Sequence, residues 1–282
     1  VQYIGVDLAW GQNGMTGLAA ADGQGTLAEA TQVRTDAEIL AWLAPVTTGP
    51  CVVAMDAPIV VRNAAGSRSC EKLVGRYFGG YGAFCHPSNT ANPVFAASTR
   101  ALRIANDLGL DIDPASGAAR RAIEVYPHPA IVALFGLPSI VRYKAKPRRD
   151  LELLRSETLR LLTLIERLED DSVPLRARDC PAWIRIRRSV RAATTKAALA
   201  RVEDSIDAVV CAHVGRLAAA CPDRVRVLGT VGDGYILTPV TPQIAARIDA
   251  DLRNSPGSPV GAGVRVTLNQ GPGHVPEVGE AR

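Results

Sequence analysis

The segment Cys51-Val52-Val53-Ala54-Met55 constrains the chain most: an unbroken apolar run fenced by Pro50 in front and Asp56 behind. It is strand-length and lacks the alternation of a half-exposed strand, so it reads as a central parallel strand buried on both faces. Such a strand needs helices over each face of its sheet, which places the chain among mixed α/β proteins. Val1–Leu8 alternates and then runs apolar, a second buried strand, and Asp7 stands at its end as Asp56 stands at the end of the first.

The rest of the chain fits around these two strands. Gly11, Asn13 and Gly14 supply a turn, Met15–Ala21 a strand, Asp22-Gly23 a hairpin dipeptide, and Thr26–Val33 a third strand. Thr35 caps a short helix over Asp36–Leu43, with Glu38 completing a capping box, and Pro45–Pro50 is expected to break it. From about 60 to 119 the pattern loosens into a helical and loop insertion, with one helix around Arg68–Arg76 and another predicted over Asn92–Leu108. Arg121–Tyr126 returns to strand character, and a short helix follows Pro127-His128-Pro129. Asp150–Leu168 and Thr194–Ala220 carry helical periodicity. A strand pair flanks Gly232-Asp233-Gly234, and Thr241–Leu252 is a last helix. Residues 1–253 are therefore expected to form one domain, and 254–282 a Gly/Pro-rich tail with one strand-like segment, Val264–Leu268.

Composition narrows the class of protein. At 47% hydrophobic and 21% charged residues, wholesale disorder is excluded. No apolar run approaches the ~18–20 residues of a membrane span. The net charge of +4 is far from that of a basic nucleic-acid tail. The six cysteines show neither a CxxC pair nor a zinc-like spacing, and several sit in apolar runs. With Val1 opening directly on a strand, no targeting segment is expected, and the expected compartment is the reducing cytoplasm.

The chemistry lies in the acids. Burying a carboxylate at the end of an apolar strand is costly unless it is paired or binds a cation. Asp7 and Asp56 end two such strands, and Asp204 and Asp207 share one face of the long helix. Gathered at one point, these groups repel one another unless a divalent metal neutralises them, and hard oxygen ligands select Mg²⁺ or Mn²⁺. Two such ions about 3.5–4 Å apart are the usual clamp for in-line phosphoryl transfer. Singly, each acid reads equally as a turn residue, a helix cap or a surface group.

Five segments carry a resemblance: GVDLAWG at Gly5–Gly11, MDAP at Met55–Pro58, EVYPHPA at Glu124–Ala130, DSIDAVVCA at Asp204–Ala212 and GDGYILTP at Gly232–Pro239. Together they resemble the DUF429 family, regarded as predicted nucleases of the ribonuclease H-like fold. The resemblance covers roughly residues 1–240. It implies a five-stranded mixed sheet, three antiparallel strands leading into a parallel pair, with helices on both faces and the insertion after the fourth strand. It implies Asp7 as the first-strand acid, Asp56 as the fourth-strand acid and Asp207 as the helix acid, with Asp204 as its partner. Glu124, at the end of the fifth strand, is an additional ligand or a structural acid.

The expected function is thus metal-dependent hydrolysis of nucleic acid. Asp7 would bridge two Mg²⁺ or Mn²⁺ ions, Asp56 would hold one, and Asp207, with Asp204 or Glu124, the other. His86, in the turn-rich GGYGAFCHPSNT, is a candidate for a proton shuttle or a phosphate contact. Lys144 and Lys146 lie in the densest basic cluster and are candidates to meet substrate phosphates. Arg68 and Arg76, on the insertion helix, are candidates for substrate recognition, and Tyr77, Phe78, Tyr81 and Phe84 for base stacking. Cys70 and Cys85 raise a nucleophile reading, but no histidine is fixed beside them. Two other functions fit the same acids. A phosphotransferase of the actin-like and sugar-kinase group would normally need a second copy of the core. A catalytically silent binding protein would have its carboxylates tied up by arginines.

Overall fold

A computed structural model describes residues 1–254, apart from Gln12, together with the backbone of Val260–Gly261. Its main sheet has five strands: β1 (Gln2–Asp7), β2 (Thr16–Ala21), β3 (Leu27–Val33), β4 (Cys51–Met55) and β5 (Arg120–Glu124). They lie side by side in the order β3-β2-β1-β4-β5. The β1–β2 and β2–β3 pairs are antiparallel, while β4 runs parallel to both β1 and β5. The mixed five-stranded sheet is the one expected, with Cys51–Met55 buried at every position between two parallel neighbours.

Alternation along the strands assigns each face its layer. Tyr3, Val52, Ala54, Ile123 and Val125 pack into a core shared with α5 (Leu151–Glu166), α6 (Pro181–Ala192) and α7 (Lys196–Ala220). Ile4, Val6, Val53, Met55 and Ala122 face the other way, against α1 (Asp36–Val46) and α3 (Arg100–Asp107). The long helix α7 lies directly over β1, β2 and β4, and two glycines make that approach possible. A Cβ on Gly5 would meet the carbonyl oxygen of Ala208 at 1.7 Å, and one on Gly17 that of Asp204 at 1.9 Å. The backbone of α7 occupies the space those side chains would need.

Beyond β5, β6 (Val225–Thr230) and β7 (Gly234–Pro239) form the expected hairpin, in a second small sheet ordered β7-β6-β8 with β8 (Val260–Gly261). A third core joins this hairpin to α2 (Ser69–Phe78), α4 (Pro127–Phe135) and α8 (Pro242–Asn254). Among the described residues no helix is long and apolar enough to cross a membrane.

Three expectations on the elements are corrected. The first helix keeps both halves of its capping box, Thr35 with Glu38, but runs on through Pro45 to Val46. A proline in the last turn loses one helical hydrogen bond, and Thr47 closes the end by donating to the carbonyls of Leu43 and Ala44. The helix predicted over Asn92–Leu108 shrinks to Arg100–Asp107. Asn92 accepts from the Val94 amide and Thr99 from that of Leu102, local bonds that compete with a continuous helix. The Pro- and Arg-containing stretch around Trp183, given no element from the sequence, is the helix α6, with Pro181 in its first turn. The strand expected over Val264–Leu268 lies outside the described residues.

Candidate metal centre

Because β1, β4 and β5 are parallel, their carboxyl ends share one edge of the sheet, the usual ligand edge of an α/β protein. Asp7 ends β1. Asp56 follows β4, its amide donating to the Val6 carbonyl at 2.8 Å and extending the ladder one step. Asp7 is in phase with Tyr3 and Gly5, and Asp56 with Val52 and Ala54, so both carboxylates turn to the face covered by α7. There they meet Asp207, whose residue is 0% exposed. Each of the three offers an oxygen within 4.8 Å of the other two.

Asp7 and Asp56 line a cleft of about 510 Å³, bordered also by Trp10, Phe84, His86, Tyr126 and Lys146, and Asp207 lies buried beside them. Asp7 and Asp56 are surrounded by protein yet open to the water of this cleft. Burial, and then the charge of Asp56, hold the Asp7 carboxyl well above the usual carboxylate range. Burial raises Asp56 to about 7, with Lys144 opposing and Asp207 adding to the shift. Both acids therefore lack the positive charge that would ionise them fully.

Asp207 has a different environment. The Tyr143 hydroxyl donates to its Oδ1 at 2.5 Å, and Lys144 Nζ lies 2.6 Å from its Oδ2. That second contact is a close charge pair without the alignment of a hydrogen bond, so Oδ2 keeps an unused lone pair inside the site. Burial alone would lower the Lys144 ammonium, but Asp207, Tyr143, Asp7 and Asp56 outweigh it and keep the group charged. Asp204 lies one helical turn back and outside the trio. It accepts from Gln32 Nε2 at 3.3 Å, and burial, with the charge of Asp207, raises it to about 6.

Glu124 is held apart from the trio. It falls on the other phase of β5 from Ile123 and Val125, and so faces away from α7. Arg68 donates to both of its oxygens, at 2.6 and 3.0 Å, and the Ile59 amide to one of them at 2.9 Å. Burial pushes the Glu124 carboxyl up, and Arg68 opposes that shift. Two parallel charged hydrogen bonds from the guanidinium mark an ionised pair. Arg68 also binds Glu71 at 2.8 Å and the Val60 carbonyl at 3.0 Å, so its donors are spent on the protein. Gly234 makes room for it, since a Cβ there would meet Arg68 Nη1 at 2.9 Å.

Of the remaining expected residues, His86, Lys144 and Lys146 border the cleft. Arg76 does not. It pairs with Asp251 of α8 at 2.9 Å on the protein's surface. Tyr77 and Phe78 are core residues, and Phe84 alone of the aromatic set is well exposed in the cleft. The Cys70 and Cys85 thiols are pushed far up by burial and by the carboxylates of Glu124 and Glu71, opposite to a nucleophile's requirement.

Two contributors had no clear signal of their own in the sequence. Tyr143 supplies the hydroxyl under Asp207, and only the alternation Val141-Arg142-Tyr143-Lys144 hints that it points inward. Arg100, buried, donates to the carbonyls of Ala9 and Gly11 and fixes the turn that follows Asp7. No arginine among the described residues pairs with Asp7, Asp56 or Asp207, so the trio is not neutralised in the way a silent binding protein would require. An all-oxygen trio with a free lone pair fits a hard divalent cation.

No curated protein and no solved structure matches the chain. Residues 5–231 match the family described as "Protein of unknown function (DUF429)", a span that begins within β1, continues through β5 and α7 and holds all three acids of the trio. The chain belongs to the DUF429 family.

Proposed function

We propose that the protein is a metal-dependent phosphodiesterase acting on nucleic acid, and that its sheet is the core of a ribonuclease H-like fold. The observation that carries this reading is the trio itself. Asp7, Asp56 and Asp207 converge at the carboxyl edge of a parallel β1–β4–β5 unit, within 4.8 Å of one another, and Asp7 and Asp56 line an open cleft. Three carboxylates this close, one buried and two half-buried, with no arginine paired to them, are costly to assemble for structure alone, and a divalent ion relieves that cost.

Mg²⁺ or Mn²⁺ suits the oxygen donors, and Asp7 and Asp56 would hold it. Such an ion supplies Lewis-acid polarisation of a phosphoryl oxygen and a more acidic bound water. The chain's own groups do the rest. Lys146 and His86 on the cleft border would meet backbone phosphates, and the exposed Phe84 ring and Tyr126 would offer faces for unstacked bases. A cleft of this size admits a few nucleotides of single strand more readily than a duplex groove.

The test is calorimetric titration of Mn²⁺ into the wild type and Asp7→Asn, followed by cleavage assays on single- and double-stranded DNA and RNA. The expected result is Mn²⁺ binding lost in the variant and cleavage of single strands that follows it. Wild type that takes up no metal, with or without an oligonucleotide present, sinks the proposal.

A further inference from the structure

The trio is not symmetric, and the asymmetry bears on how many ions it takes. Asp7 and Asp56 face the cleft among the charges of Asp207, Asp204 and Lys144, with Glu124 also acting on Asp56, and Lys144 is the one cation in that set. Asp207 already has a donor at Oδ1, Tyr143, and a cation against Oδ2, Lys144 Nζ at 2.6 Å, although that second contact lacks the alignment of a hydrogen bond. These two residues are adjacent in sequence and sit on a segment strapped to its surroundings. The Ile140 amide donates to the Tyr81 carbonyl at 2.9 Å, and that of Ala145 to Glu203 Oε1 at 3.2 Å. Arg149 Nη1 holds the Lys144 carbonyl at 2.9 Å, while Val141 and Tyr143 are buried. Lys144 itself is 27% exposed along its side chain, with its ammonium over an Asp207 side chain of 0%. It is therefore built into the site and is not a surface lysine that happens to fold inward.

On the reading of the trio as a metal centre, we infer that the site takes one divalent ion, on Asp7 and Asp56, and that the Lys144 ammonium stands permanently where a second ion would otherwise bind Asp207. Charge supports this. One divalent ion and one ammonium balance three carboxylates, whereas a second divalent ion beside the lysine would leave the trio over-neutralised and the two cations in repulsion. An ammonium is a compact point charge with three donors. It can hold Asp207 and also face a phosphate oxygen in the cleft, giving the fixed positive charge that the second ion gives in two-metal hydrolases. One ion and one lysine would then stand in place of the two ions expected from the pattern of acids.

The number of ions is directly measurable. Mn²⁺ is titrated into wild type, Lys144→Met and Lys144→Arg, with binding stoichiometry read by calorimetry and the ions' mutual coupling by electron paramagnetic resonance. Wild type and Lys144→Arg are expected to bind one Mn²⁺ per chain with the spectrum of an isolated ion. Lys144→Met is expected to bind two, with the exchange-coupled spectrum of a close pair. A coupled pair in wild type overturns the inference and leaves the metal centre standing, and this measurement does not depend on any variant folding. A folded Lys144→Met that still takes a single ion overturns it as well. If none of the three proteins binds Mn²⁺, the inference falls together with the metal centre on which it rests.

Discussion

Met55 and Glu124 pair across β4 and β5, and both point away from α7, whereas Asp56, one residue on, points toward it. That single step of pleat gives two acids at the same sheet edge opposite fates. Asp56 is left in the metal trio, and Glu124 is buried against Arg68. Arg68 in turn balances Glu71, so one guanidinium compensates two buried carboxylates. Removing one member of a buried pair leaves an uncompensated charge, so Arg68→Ala is expected to destabilise the fold by about 3–5 kcal/mol. Glu124→Gln, which keeps shape and some hydrogen bonding, should cost less. Urea denaturation of the two variants checks this. An Arg68→Ala protein as stable as wild type would return Arg68 to the candidates for substrate recognition. The pleat separates Glu124 from the trio, because Ile123, one residue before it, lies opposite Ala54 on the face that α7 covers, whereas the sequence alone left Glu124 as an additional ligand or a structural acid. The partner of Glu124 was not legible. Arg68 lies 56 residues away, and no local pattern encodes such a contact.

At the scale of elements, the trio depends on how near α7 comes to the sheet. Gly5 and Gly17 pair with neighbouring strands at the end of the sheet that carries Asp7, and the α7 backbone rests on both. Alanine at Gly5 must push the helix outward, since the clash is with a backbone carbonyl that cannot rotate away. Overpacking of this kind costs about 1–3 kcal/mol or more. Gly5→Ala is therefore expected to lose stability and to weaken Mn²⁺ binding although no ligand is altered, because Asp207 rides on the displaced helix. Calorimetry on the variant at a temperature where circular dichroism shows it folded checks the second half, and unchanged Mn²⁺ affinity would refute it. Much of this architecture was readable from the chain. The apolar Cys51–Met55 run, the terminal acids and the helical period of Thr194–Ala220 anticipate β4, the sheet edge and α7. The insertion was less readable. Its loops are set by side chains such as Arg100, whose donors reach Ala9, Gly11, Arg34 and Asp36, contacts made by folding and not by local propensity.

Across the whole molecule, two sets of titratable groups, half-buried acids and buried histidines, pull stability in opposite directions with pH. Burial raises Asp56 from 3.8 to about 7 and Asp204 to about 6, so the folded protein binds more protons than the unfolded chain in that window. Stability from these acids is greatest at low pH and declines as pH rises to about 7. Burial lowers His128 and His213 from 6.5 to about 4. Their contribution has the reverse sign: full above about 6.5 and lost as pH falls toward 4. For His213 the loss is uncompensated, since neither ring nitrogen finds a hydrogen-bond partner among the described residues. A divalent ion acts on the first set alone, because it requires ionised carboxylates and competes with the protons they retain. The rise in Tm on adding Mn²⁺ is accordingly expected to be small near pH 5, to grow through pH 6 and to level off above about pH 7. In Asp56→Asn the metal-free protein should gain stability near pH 8 relative to wild type, and the Mn²⁺ response should collapse. Thermal melts of both proteins across that range, with and without Mn²⁺, decide the matter. A Tm rise independent of pH would mean that the ion is held elsewhere, and that Asp7 and Asp56 carry their shifted protons for reasons of packing alone.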